Sequence, residues 1–174
     1  EDKLTYANAS LSHGLILAGQ RLSNDDMIDA GISSLEWLLN KQSTSEEHLS
    51  IIGNHSWYAI NEERSKFDQQ PIEIMNLILA CSTTFKITWK KKWIDIAMKC
   101  FSWFLGHNDL GAQLYNYQTG GCKDGLHSQG TNANEGAEST LAWLISLFTM
   151  YKLFENQVLA KEPASRTKNL FKAN

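Results

Sequence analysis

A four-residue apolar block that returns at a nearly fixed spacing constrains this chain more than any other feature. Leu15-Ile16-Leu17-Ala18 recurs 62 residues later as Leu77-Ile78-Leu79-Ala80, and a looser copy, Leu141-Ala142-Trp143-Leu144, follows after another 64. A second signature repeats between the copies: Trp37-Leu38-Leu39 is answered by Trp103-Phe104-Leu105, 66 residues on. A unit of this length with two helices per copy is a helical hairpin. Stacked hairpins bury together a face that one unit alone leaves wet.

The helices differ in kind. Segments around Leu11–Leu22, Ile72–Ile87 and Ser139–Phe154 are apolar nearly all round, which implies burial on most sides. Those around Asp25–Asn40 and Lys90–Leu105 are two-faced: Met27, Ile28, Leu35 and Leu38 oppose Asp29, Ser33 and Glu36 in the first of them. Two prolines and few β-branched alternations agree with an all-α chain. The expected fold is therefore all-α, antiparallel helical hairpins in two layers, with odd helices inside and even helices outside. Short turns near Leu22–Asn24 and Thr88 close the hairpins. The other connections, over residues 43–69 and 106–134, are long, and in an up-down array they share one end with the N-termini of the inner helices. Trp57, Tyr58, Phe67, Tyr115 and Tyr117 in those connections are not what a solvated linker carries.

Polar chemistry gathers at that end. Asp68-Gln69-Gln70-Pro71-Ile72-Glu73 opens one inner helix, with Pro71 suited to the first helical position and Glu73 placed to accept free backbone N–H groups. Asn134-Glu135-Gly136-Ala137-Glu138-Ser139 opens the next, with Asn134 as the expected cap. A polar cluster at the mouth of an apolar helix needs hydrogen bonds or a ligand to satisfy it, so each carboxylate is either a cap or a pocket wall. Aromatics beside carboxylates, amides and Arg64 suit carbohydrate, whose C–H faces stack and whose hydroxyls pair with such groups. Two carboxylates can also run acid and base chemistry on a glycosidic bond.

Other classes are disfavoured. A net charge of -3 gives no footprint for nucleic acid, and no apolar run reaches the roughly 20 residues of a membrane span. No signal peptide is expected before Leu4, and the initial Glu suggests a chain cut from a longer polypeptide. Cys81, Cys100 and Cys122 read as free thiols of a cytoplasmic protein, and the sequons at Asn8 and Asn54 as unused. No phosphate loop, dinucleotide fingerprint or compact metal motif occurs, so no cofactor and no metal are expected. Cys122 near His127 lacks an orienting third group and is a poor nucleophile candidate.

Several ordered motifs carry a resemblance. They are Tyr6-x-Asn8-x-x-Leu11-x-His13-x-Leu15, Gly53-Asn54 with Trp57, Phe67-Asp68-Gln69-Gln70-Pro71-Ile72-Glu73, Trp103 through Leu110, Gly120 through Leu126, and Asn134 through Leu141. Over residues 4–153 the chain resembles the α-helical domain fused behind, or encoded beside, bacterial group 1 glycosyltransferases, which is similar in turn to the six-hairpin glycosidase (α/α toroid) superfamily. The resemblance implies a partial α/α toroid over residues 1–154 and a tail or docking helix over 155–174. About half a ring is present, so a pocket would be open on one side, completed by a partner chain, or lost with missing sequence. The nucleotide-sugar domain of a transferase is not in this sequence. Two readings remain. In the first, a carbohydrate-active module binds or processes a glycan, with Glu73, Asp124 and Glu138 as the acidic groups. Asn54, Arg64, Gln70, Asn108, Asp109 and Asn134 would be its polar contacts, and Trp57 and Tyr115 its stacking platforms. In the second, the chain is a non-catalytic scaffold docking onto a glycosyltransferase domain or another copy of itself, and the polar motifs are caps and pins.

Overall fold

The computed structural model describes residues 2–45 and 48–161. Five helices dominate: α1 (Ala9–Leu22), α2 (Asp25–Lys41), α3 (Pro71–Thr88), α4 (Lys92–Ser102, continued by a 3-10 turn over Trp103–Leu105) and α5 (Ala137–Lys161). The expected hairpins and their turns are present. Ser23 adopts a left-handed φ of 53° to end α1, and the Asn24 side chain then accepts the Met27 N–H to begin α2. Trp89, also left-handed, closes α3 before α4.

Helix α3 packs against α1 on one side and α5 on the other, with α4 laid over α3 and α5 and α2 over α1. Gly31 makes the α1–α2 approach possible, since a Cβ there would sit 2.6 Å from Ile16. The core is continuous from Ile16 and Leu35 through Ile74, Leu77 and Ile78 to Trp93, Trp103, Phe104 and Leu153. Among the inner helices only α3 is buried on most sides. Helices α1 and α5 leave broad apolar faces in solvent, Leu11 and Leu22 on the first and Leu141, Leu144, Phe148 and Tyr151 on the second. The expectation of all-round burial fails for these two because, among the described residues, each has an inner neighbour on one flank only.

Short strands in the N-terminal segment and the long connections depart from all-helical structure. Strand β1 (Lys3–Leu4) pairs antiparallel with β2 (Tyr58–Ala59), and β3 (Leu126–His127) with β4 (Gly130–Thr131). Single bridges join Ser43 to Leu49, Gln69 to Leu126 and Tyr115 to Cys122. Two-residue strands leave no alternation for a sequence pattern to show. Helix α5 continues to Lys161, past Phe154; the rest of the segment expected over 155–174 lies outside the described residues. No helix among the described residues is long and apolar enough to cross a membrane.

Candidate functional site

The starts of α1, α3 and α5 meet at the loop-rich end, and the chain itself fills much of the space between them. Glu73, in the first turn of α3, is buried. Its Oε1 accepts the Ala7 N–H at 2.5 Å and its Oε2 the Asn8 N–H at 3.3 Å. It therefore caps the entry to α1 rather than its own helix. Burial pushes its carboxyl above the usual range, and the two N–H bonds oppose that shift. Glu138, exposed at the start of α5, accepts the Tyr6 hydroxyl at 2.9 Å. Burial, that bond and the charges of Glu138 and Glu73 push the Tyr6 phenol up to about 12. The two glutamates do converge, as their equivalent positions suggested. Residues 6–8 occupy the place between them, so buried Glu73 is shut off from a ligand.

Other expected contacts are committed to holding loops. Asn108 is buried. Its amide donates to the carbonyls of Trp103 and Ala112 while its oxygen accepts the N–H groups of Leu110 and Ala112. Asp109, with 2% of its side chain exposed, accepts Gln69 Nε2 at 2.6 Å, Lys66 Nζ at 3.2 Å and His48 Nε2 at 3.4 Å. Burial alone would raise its carboxyl; these donors outweigh burial and hold it below the usual range. Arg64 donates to the Ser50 carbonyl at 2.6 Å and lines a separate surface groove with Tyr58 and Glu62. Tyr115 is no open platform: its ring stacks on Trp143, centroids 4.4 Å apart, against the core. Trp57 is half-buried with a left-handed φ of 65°, its carbonyl accepting the Ser65 N–H. Asn134 is not the cap of α5. It donates to Asp124, and Asp124 does the capping, accepting the Gly136 N–H at 2.6 Å.

What remains is a cleft of about 430 Å³. Asn54, Gln70 and Asp124 line it, as expected, together with Asp68, Gln69, Gly125, His127 and Asn132. Its back wall is the Gln69–Leu126 bridge, two backbone bonds of 2.9 and 3.1 Å. Gly125 is required there, because a Cβ would lie 2.7 Å from the Gln69 carbonyl oxygen. Gln69 itself is fully buried and saturated, bonding Lys66 O, Asp109 and the Trp103 indole N–H. Asp68 adopts φ 61° at the mouth of α3. Its Oδ1 lies 2.6 Å from His127 Nδ1 and its Oδ2 3.6 Å from His55 Nδ1. Burial raises Asp124, but the bonds from Asn134 and Gly136 prevail and hold its carboxyl below the usual range, so it is ionised at neutral pH.

Reasoning from sequence thus missed Asp68, Gln69, His127 and Asn132. Asp68 and Gln69 stand directly before the expected Gln70, and His127 lies in the same long connection as the expected Asp124. The Asp68–His127 contact spans 59 residues and leaves no local signature. Nearby, Glu135 accepts Asn116 at 2.8 Å, Lys123 at 2.7 Å and Thr119 at 2.6 Å, which together hold it down to about 2. Cys122 is buried, and burial with the charges of Asp124 and Glu135 pushes its thiol up to about 12, which leaves it protonated and unreactive at neutral pH. Among the described residues no group of three or more His, Cys, Asp or Glu side chains could hold a metal ion. Compared with known proteins, the chain matches no family model and no curated protein.

Proposed function

We propose that this chain is a carbohydrate-binding helical module that works beside a glycosyltransferase in the cytoplasm, and that it takes a glycan in the cleft between Asp68 and Asp124. The supporting observation is that two carboxylates, His127 and the amides of Asn54, Gln70 and Asn132 line one open cleft. Carboxylates and amides are bidentate partners for vicinal hydroxyls, and charge-assisted bonds of this kind are the stronger ones. Binding is favoured over turnover. Asp124 is ionised and uses both oxygens at neutral pH, so it is a poor general acid, and Glu73 is sealed behind residues 6–8. The row of α1, α3 and α5 under α2 and α4 suits a segment of an α/α toroid, with the cleft at its loop-rich end.

The test is glycan binding paired with thermal melting for His127→Ala and Asn54→Ala. Both side chains are outside the buried network, so the melting temperature should hold while glycan binding falls at least tenfold. Unchanged binding of every glycan by two well-folded variants overturns the reading. One observation favours the scaffold alternative, namely that Glu73, Asn108, Asp109 and Glu135 are all spent on internal bonds. That alternative gains if no glycan binds the parent chain and the transferase domain does.

A further inference from the structure

The repeat sets the residues of α5 against those of α3 at an offset of 64, and the two helices fare differently at matching positions. Leu77, Ala80, Cys81 and Thr84 are covered in α3, whereas Leu141, Leu144, Ile145 and Phe148 stand in solvent on α5. The inward positions agree: Ile78 and Ala142 are both buried, as are Ser82 and Ser146. Helix α5 is thus built as an inner helix with a neighbour on each flank, and among the described residues only one flank is occupied.

The uncovered stripe runs Leu141, Leu144, Phe148, Tyr151, at helical spacings of 3, 4 and 3 residues. Beside it, between α4 and α5, lies an apolar groove of about 460 Å³ formed by Met98, Phe101, Leu105, Leu147 and Phe154. Lys152 reaches over the rings of Phe148 and Tyr151, its Nζ 5.7 Å from each centroid, and marks the polar rim. Every member of the stripe is at least 47% exposed, and Met98, Leu105, Leu147 and Phe154 of the groove stand exposed beside it. A monomer seldom exposes so large a contiguous apolar patch.

The opposite edge of the same layer is also open. On α1, Leu11, Gly14, Leu15, Ala18 and Leu22 form one stripe; Leu11 and Leu22 are exposed and Gly14 faces open space. His13, which bonds Thr83 of α3 at 2.8 Å, points about 200° away, so this stripe is the flank away from α3. Its centre is small where that of α5 is bulky. An α5–α5 contact would set Phe148 and Tyr151 against like bulk, whereas α1 offers them a shallow trough. The starts of α1, α3 and α5 share one end, so α1 of another copy laid parallel to α5 continues the layer in the same sense.

We propose that α5 docks along α1 of a second copy of this chain, extending the inner layer across the subunit boundary. This does not depend on what the cleft binds. Such a contact is head-to-tail: it makes a closed ring if the rotation closes and an open chain of copies otherwise.

Sedimentation of the 174-residue chain over a concentration series should show assembly of two or more copies. Phe148→Glu should return it to single-chain mass with its helical circular dichroism intact. The geometry is read separately by mixing Ala18→Cys and Leu144→Cys chains, positions set level by the repeat, in a protein whose three native cysteines are buried. The expected product on oxidation is a disulfide between the two different chains. A single-chain mass at every concentration overturns the proposal, and so does cross-linking of Leu144→Cys chains to one another in preference to Ala18→Cys chains.

Discussion

Helices α3 and α5 share the apolar pattern of the repeat and live in different surroundings. Leu77 is 1% exposed and its counterpart Leu141 55%; Thr84 is 0% exposed and its counterpart Phe148 62%. The contrast extends to their mouths. Glu73 at the start of α3 is buried under the N-terminal segment, while Glu138 at the start of α5 is exposed and reaches the Tyr6 hydroxyl. An apolar pattern states that a surface is suited to burial. It does not state that a neighbour is there.

The sharpest way to break this comparison is to shorten matching leucines. Leu77→Ala should cost about 2–5 kcal/mol in urea unfolding. Leu141→Ala, made in the single-chain Phe148→Glu background, should stay within about 0.5 kcal/mol. Equal losses would mean that the α5 face is covered within one chain. Next comes Gln69→Leu, which strands the Trp103 indole N–H and a buried oxygen of Asp109. It should cost about 2–3 kcal/mol, since buried polar groups left without partners bear their full desolvation penalty. A melting curve unchanged from the parent would show that the hub is dispensable.

The paired glutamates give a smaller test. Glu73→Gln turns an N–H toward a backbone N–H and should cost about 1–2 kcal/mol. Glu138→Gln should cost no more than about 0.5 kcal/mol and should lower the Tyr6 phenol from about 12 toward the ordinary 10, read by ultraviolet titration. A phenol that stays in place in that variant would remove Glu138 as a cause.

Acid unfolding separates the two kinds of carboxylate. Glu135 is held down to about 2, below its unfolded value of 4.5. Its stabilisation is therefore full above 4.5 and is lost as the pH falls toward 2. Glu73 is shifted upward, so its proton is favoured by the fold, and its contribution is lost as the pH rises through its folded value. Glu135→Gln should flatten the loss of stability between pH 4.5 and 2, and Glu73→Gln should not. Identical acid limbs for Glu135→Gln and parent would overturn the assignment.

Much of this architecture was legible. The apolar blocks located the inner helices, Pro71 stands at the first position of α3, and Asn24 caps α2 as such residues do. The long connections did converge at one end, and Asn54, Gln70 and Asp124 did come to line one cleft. Less legible was which polar groups are free. Asn108 and Asp109 look like ligand contacts in a glycine-rich stretch, yet one staples its own loop and the other anchors residues some 40 and 60 positions away. Tyr115 looks like a platform until Trp143, from α5, is found stacked on it.

The order of residues is enough to set the helices, their hairpin order and the end at which polar chemistry collects. Those depend on periodicity, caps and turn residues acting over a few positions. The closing of Glu73 over residues 7 and 8, the meeting of Asp68 with His127 and, among the described residues, the bare flank of α5 come from the tertiary fold alone. Each of these is a contact, or a missing contact, between segments far apart in the chain. A side chain's donors and acceptors carry no mark of which distant partner will reach them first.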